Sequence, residues 1–138
     1  IIFPCLYNNH WFIFVVDIKE ENFVFLDSPY SEKSAYHIDV HDLIIPGFIM
    51  MWYEFSKVNI DFNKFQNKYC VNVIPRQNNL HDCGVYTMKM ELRNPRGHQK
   101  DLIRLEDISN IRIQISNDLV FSEHNSEEEA KQLLRNFN

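Results

Sequence analysis

One cysteine lies where a polar loop meets a predicted helix in the segment "RQNNLHDCGVYTM", residues 76–88. Asp82 is the expected N-cap, which places Cys83 in the first turn of that helix. The free N–H groups and the dipole at a helix N-terminus favour a thiolate, the nucleophilic form of cysteine, and Gly84 leaves the nearby backbone open to a substrate. Cys83 is therefore a candidate nucleophile, although a free cysteine is commonly a small buried filler.

A histidine and an aspartate lie at the open end of a predicted hairpin. Residues 11–16, "WFIFVV", and 22–27, "NFVFLD", are rich in β-branched and aromatic side chains and flank a polar turn. Pairing about that turn brings His10 and Asp27 within about 5 to 8 Å of each other. The carboxylate can then hold one imidazole nitrogen and leave the other as a base, as in a catalytic triad. The simpler interpretation is that His10 ends a strand and Asp27 begins a loop.

A glutamine in the loop before Cys83 completes the set. The side-chain amide of Gln77 can point toward the cysteine and, with the Cys83 backbone N–H, form an oxyanion hole, although loop glutamines are usually only solvated. Base, orienting carboxylate, oxyanion donor and nucleophile together indicate a cysteine hydrolase.

A zinc site is the competing chemistry. His37 and His41 in "HIDVH" have the i, i+4 spacing of a helical zinc pair, and "HDC" at residues 81–83 offers further ligands. No Glu follows the first histidine as in zinc proteases, and there is no CxxC pair. We therefore expect no metal and no cofactor, and two surface histidines on a short helix.

The elements that must position these residues alternate between strands and helices, so the expected class is α+β. A helix is predicted just past the Pro46-Gly47 breaker, and "KYCVNVIP", residues 68–75, is predicted to be a strand. Residues 105–121 fit a helix better than a strand, and Ser126 with Glu129 forms the capping box of a terminal helix. The apolar faces expected of these helices are Phe48, Met51, Trp52 and Phe55; then Val85, Met88 and Leu92; then positions 108, 111, 115 and 119; and finally Ala130, Leu133, Leu134 and Phe137.

Composition limits the functional classes. The 138 residues are long enough for one domain with its own core, and we expect a single domain over 1–138. The net charge is −5 and the basic residues are scattered, which argues against nucleic-acid binding. The apolar runs are too short or too interrupted to cross a bilayer, and three cysteines cannot form a disulfide framework. We expect an intracellular protein, monomeric and free of membrane, and a fragment of something longer because no initiator Met is present.

Two segments, "NNHWFIFVVDIKEENFVFLDS" and "IPRQNNLHDCGVYTM", resemble the catalytic core of the ubiquitin-like-protein-specific cysteine proteases, the SUMO or sentrin-specific family. The plant and transposon-associated members are the most similar. The order His-Trp, Leu-Asp-Ser, Gln and Asp-Cys-Gly carries the resemblance over about residues 1 to 92. It separates this family from papain-like enzymes in which the cysteine comes first.

The resemblance implies a papain-like α+β fold, a small central mixed sheet with the cysteine at the N-terminus of a central helix and helices around it. It implies that Cys83 attacks the carbonyl after a Gly-Gly sequence, His10 acts as base and acid, Asp27 orients His10, and Gln77 holds the oxyanion. Trp11 matches the tryptophan over the diglycine tunnel, although ordinary packing explains it too. The expected partner is SUMO or a related modifier with its conjugates, the expected location is the nucleus, and an N-terminal helical part of the family domain is missing.

Three functions remain open from sequence. The first is a peptidase that deconjugates or matures a ubiquitin-like modifier. The second is a truncated or inactive relative that only binds the modifier. The third is acyl transfer to another acceptor, which the tryptophan beside the histidine disfavours.

Overall fold

The computed structural model describes residues 1–30, 33–70, 76–79, 81–91 and 107–136. They belong to two compact units, Ile1–Ile103 and Arg104–Asn138. Within these described ranges, none of the helices has the length and apolarity needed to cross a membrane.

The first unit is built on a four-stranded mixed sheet. Its strands are β1 (Ile2–Tyr7), β2 (His10–Asp17), β3 (Asn22–Leu26) and β4 (Gln66–Tyr69), and they lie side by side in chain order. The first three strands are antiparallel, and β4 runs parallel to β3. The predicted hairpin is therefore confirmed. The strand predicted over 68–75 begins earlier, at Gln66, and residues 71–75 lie outside the described part of the chain.

The hairpin between β1 and β2 was missed from sequence. Its turn is Asn8-Asn9, with φ angles of 45° and 60°, and Tyr7 pairs with His10 across it. Two consecutive left-handed residues match the twist of the flanking strands, and asparagine tolerates that conformation better than most residues. The Asn-Asn pair was thus the available signal. It places His10 at the first position of β2.

The core lies against one face of β2. Alternate side chains of a strand point to opposite faces, so Phe12, Phe14 and Val16 share a face, and all three are buried. Their cluster also includes residues from β3, from the helix that follows and from a 3-10 turn: Phe23, Phe25, Val40, Ile45 and Phe62. Trp11 begins the opposite face of β2.

Helix α1 spans Ala35–Phe55, which corrects the prediction that it begins past Pro46-Gly47. Pro46 lies inside it, because buried Val40 and Ile45 extend the apolar face toward the N-terminus and tertiary packing outweighs the loss of one backbone donor. The predicted face is only partly right. Phe48 and Trp52 pack on the core, whereas Met51 and Phe55 are exposed.

Helix α2 spans Cys83–Glu91 and packs against β2 and β1. The Asp82 carbonyl accepts the first helical bond from Tyr86 N, so Asp82 lies at the predicted N-cap position. Val85 is buried as expected, but Met88 is exposed, and Tyr86 and Thr87 are buried instead. Leu92 lies outside the described residues.

The second unit contains helix α3 (Ile108–Phe121) and helix α4 (Glu128–Arg135). The choice of helix over strand for α3 is confirmed, although Leu119 on its predicted face is exposed. Helix α4 begins at Glu128, two residues after the predicted cap at Ser126. Leu133 is exposed, and the remaining predicted side chains of that face lie outside the description, namely Ala130, Leu134 and Phe137.

Candidate active site

The predicted proximity of His10 and Asp27 is confirmed. The register of β2 and β3 pairs Ile13 with Leu26, so Asp27 follows the last paired residue and lies diagonally across from His10. His10 Nε2 donates to Asp27 Oδ1 at 2.9 Å, and both residues are buried. Because a carboxylate only accepts, the hydrogen bond assigns the proton to Nε2. When the ring is neutral, Nδ1 therefore carries a lone pair.

Aromatic rings hold the His10 imidazole in place. The ring stacks on Phe12 at a centroid distance of 6.4 Å, and the edges of Tyr30 and Tyr36 approach it at 5.0 and 5.3 Å. Tyr30 and Tyr36 stack on each other at 4.5 Å, and the Tyr36 hydroxyl donates to the Tyr7 carbonyl at 3.0 Å. The imidazole is therefore oriented by packing as well as by Asp27.

A second histidine, His37, binds the same carboxylate. Its Nε2 lies 2.9 Å from Asp27 Oδ2, and its side chain is 0% exposed. The expectation of two surface histidines on a short helix is wrong for His37, since α1 is long and carries it into the core. His41 is partly exposed and contacts Asp42 and Asn67 instead. Among the described residues no group of side chains is arranged to hold a metal ion.

The two imidazoles determine the ionisation of Asp27. Burial by itself raises the pKa of this carboxyl group, but the hydrogen bonds from His10 and His37 outweigh burial and lower the pKa below its usual value. Asp27 is therefore a carboxylate at neutral pH. A negative charge is available beside His10 when that ring gains a proton.

The lowered pKa of Asp27 predicts acid sensitivity. A carboxyl group whose pKa is lower in the folded state stabilises the fold fully above its unfolded pKa, about 3.9, and loses that contribution as the pH falls through the folded value. We expect the free energy of unfolding, from urea titrations, to decrease below about pH 4. Asp27→Asn should weaken this dependence, whereas Asp39→Asn, which neutralises an exposed carboxylate on α1, should not. Equal acid dependence in the Asp27 variant and the wild type would contradict the assignment.

Gln77 is held in a defined orientation. It is buried, so the solvated-loop interpretation is wrong. Its Nε2 donates to the Asn79 carbonyl at 2.7 Å, and its Oε1 accepts from the Ser28 hydroxyl at 2.6 Å. Since a carbonyl only accepts, the amide cannot be flipped. One N–H of Gln77 is committed to Asn79, which leaves the other for a ligand.

Two residues of this network were missed from sequence. Ser28 directly follows Asp27 and thereby ties the Gln77 loop to the end of β3. Asn79 Oδ1 accepts from the backbone N–H groups of His81 and Asp82, both at 3.0 Å, and its Nδ2 donates to the Asp82 carboxylate at 2.6 Å. Asparagine forms such turns with its own backbone, so the Asn78-Asn79 pair was the available signal. Asn79 thus stabilises the turn that leads into α2.

Cys83 is the first residue of α2 and is 5% exposed. Its neighbour Gly84 lies under Trp11: a Cβ at Gly84 would be 3.6 Å from Trp11 Cδ1. Trp11 is 40% exposed, which is more than simple core packing requires. The residue after His10 therefore lies next to the residue after Cys83. Cys5 and Cys70 differ from Cys83 in that neither begins a helix.

The arrangement has the parts needed for acyl transfer. It contains a thiol at a helix N-terminus, an imidazole with an oriented tautomer, a buried carboxylate and a fixed amide. The comparisons with known proteins are consistent with this chemistry. Residues 1–124 match the model of the Ulp1 protease family, C-terminal catalytic domain.

One sequence relative agrees with the family match. Ubiquitin-like-specific protease 1A from Arabidopsis thaliana is 28% identical over 89 residues, which are 64% of this chain and 17% of that protein. The SUMO protease Ulp1, solved with its catalytic cysteine oxidized to a sulfenic acid, superposes with a TM-score of 0.57 at 21% identity and covers 85% of this chain and 50% of that one. A de-sumoylating protease structure matches at 18% identity with a TM-score of 0.45, over 99% of this chain and 48% of that one. The chain spans about half the length of these solved structures. The predicted α+β, papain-like fold class is confirmed.

Proposed function

The chain belongs to the Ulp1 protease family, a family of cysteine-type peptidases, and we propose that it cleaves after the C-terminal Gly-Gly of SUMO or a related ubiquitin-like modifier. The observation that carries the proposal is the buried 2.9 Å hydrogen bond between His10 and Asp27. That bond directs the Nδ1 lone pair of His10 away from Asp27, as a base for Cys83 requires.

His10, Cys83 and Asp27 each have a defined role in the proposed reaction. His10 Nδ1 takes the thiol proton of Cys83, and the thiolate attacks the carbonyl carbon of the terminal glycine. The resulting imidazolium is stabilised by Asp27 and gives its proton to the departing lysine amine, so the amide bond breaks and a thioester remains. Water then adds to the thioester as His10 accepts one of its protons. Collapse of that intermediate returns the proton to Cys83 sulfur and releases the modifier carboxylate.

The negative oxygen of each tetrahedral intermediate needs donors. We assign the Cys83 backbone N–H, which as the first N–H of α2 has no acceptor within the helix, and the second N–H of Gln77 Nε2. Ser28 and Asn79 support this role because they hold the Gln77 amide from both ends.

We assign Trp11 and Gly84 to binding of the diglycine tail. The exposed indole lies against Gly84, next to the nucleophile, and a flat ring over a glycine backbone suits an extended peptide without side chains. Bulkier residues in the tail would collide with the indole. Membership of the Ulp1 protease family supports a ubiquitin-like partner. The monomeric state, the absence of nucleic-acid contacts, the nuclear location and the single domain over 1–138 stay predictions.

The test is reaction of the purified chain with SUMO and ubiquitin that carry an electrophile at the C-terminus, read by intact mass. We expect a one-to-one adduct with SUMO, no adduct in Cys83→Ala and an undiminished adduct in Cys70→Ala. An adduct with ubiquitin alone would contradict the substrate class. No adduct from the folded chain would favour a modifier-binding relative, which retention of SUMO binding would then identify.

A further inference from the structure

The carboxylate of Asp27 is shared between two imidazoles. Oδ1 accepts from His10 and Oδ2 accepts from His37, each at 2.9 Å. The backbone N–H of Tyr30 also approaches Oδ1 at 3.4 Å. Only His37 binds Oδ2 among the hydrogen bonds of the described residues. The orientation of the carboxylate plane therefore depends on His37.

The position of His37 is fixed from several sides. Ser34 caps α1, and its hydroxyl oxygen accepts from the backbone N–H of His37 at 3.2 Å. The imidazole is fully buried, with ring centroids of Phe25 and Tyr69 at 5.8 and 5.1 Å in edge contact. A side chain held this way cannot turn to another partner without opening the core.

The surroundings favour the neutral form of His37. Its Nδ1 is buried and has no hydrogen-bond partner among the described residues. A bare lone pair there costs less than a buried, unpaired N–H, which protonation would create. His37 also lies in the first turn of α1, where the helix dipole opposes a positive charge. Nε2 is then the protonated nitrogen, as donation to Asp27 requires.

We propose that His37 is a positioning residue for the candidate active site, a neutral donor that holds Asp27 in the plane that His10 needs. This proposal rests on the proposed function for its catalytic consequence. Of the two histidines, His10 changes its charge during the reaction and His37 does not. Asp27 thus meets one permanent donor and one ring that gains and loses a proton.

Loss of the donor has a defined consequence. Without His37, Oδ2 becomes an unpaired buried oxygen, so the carboxylate is more basic and less oriented. A more basic Asp27 holds the His10 imidazolium more tightly, and His10 then gives up its proton at a higher pH. Apart from the Cys83 thiol that we place at His10 Nδ1, the other titratable side chains that face the two rings among the described residues are the phenols of Tyr30, Tyr36 and Tyr69. Burial and then the charge of Asp27 raise the pKa of Tyr36, so it carries no charge near neutrality.

The first measurement uses the unaltered chain. Histidine ¹⁵N and ¹³C NMR reports the tautomer and titration of each ring without any substrate. We expect the proton of the neutral His37 ring on Nε2, the nitrogen that faces Asp27, and a lone pair on Nδ1. A His37 proton on Nδ1 would overturn the proposal.

The second measurement compares His37→Leu, which removes the donor, with His37→Gln, whose amide N–H reaches about as far as Nε2. We expect His37→Leu to raise the pH at which His10 titrates and to lower kcat for SUMO cleavage about 10- to 100-fold, the range for outer partners of a catalytic group, with a smaller effect on KM. His37→Gln should restore both. His41→Leu, one turn along α1 and without contact to Asp27, should change neither.

The outcomes separate the two proposals. An unchanged His10 titration in folded His37→Leu would overturn the positioning role, as would equal loss in the leucine and glutamine variants. If His37→Leu does not fold, His37→Met fills the same space flexibly without a donor and serves in its place. A shifted His10 titration in a chain that never cleaves SUMO would support the role of His37 and contradict the proposed function instead.

Discussion

Cys83→Ala is expected to abolish cleavage of a SUMO conjugate, with a loss of about 10⁴-fold or more in kcat, because it removes the thiol at the N-terminus of α2 that we assign as the nucleophile. Binding of SUMO should change little, since the thiol contributes one small side chain to the surface around Trp11. The measurement is turnover of a SUMO–peptide isopeptide conjugate by gel or mass spectrometry, with SUMO affinity determined by calorimetry. The pattern expected is loss of kcat with retained binding.

The matched control for Cys83 is Cys70→Ala. Cys70 is a second partly buried free cysteine in the same unit, but it follows a strand, and burial raises the pKa of its thiol. Its replacement should leave turnover within a few-fold of the wild type. Full turnover in Cys83→Ala, or equal losses in both variants, would exclude Cys83 as the nucleophile.

Asp27→Asn is expected to reduce kcat about 10⁴-fold, because an amide has only one accepting atom for the two imidazoles. One ring must then accept from the amide NH₂ and carry its own proton on Nδ1. His37 resists this change, since its Nδ1 is buried without a partner. His10 is therefore the ring that adopts the altered tautomer, with its proton on Nδ1. That nitrogen can no longer take a proton from Cys83.

The tautomer argument is testable apart from turnover. NMR of Asp27→Asn should show the proton of neutral His10 on Nδ1 and that of His37 still on Nε2. Asp39→Asn, which removes the same charge from the exposed side of α1, should keep both the wild-type tautomers and the wild-type rate. Near-normal turnover in Asp27→Asn would show that His10 needs no orienting carboxylate.

Local sequence determined much of this site. Alternating and continuous apolar runs predicted β2 and β3, and their separation by one short turn was enough to bring His10 beside Asp27. The position of Cys83 at the start of α2 followed from the polar loop and Asp82. These features depend on residues close together in the chain, so hydrophobic periodicity and capping residues are enough to predict them.

Tertiary structure alone decided the rest. His37 lies ten residues from Asp27, beyond the loop after β3, and it reaches the carboxylate only because α1 extends through Pro46 and packs on the core. Local propensity argued for a break at that proline, but burial of Val40 and Ile45 outweighed it. Ser28 and Gln77, 49 residues apart, are likewise joined only by the folded chain. Such contacts follow from the packing of distant segments, and no local pattern in the sequence predicts which buried polar groups will form hydrogen bonds with each other.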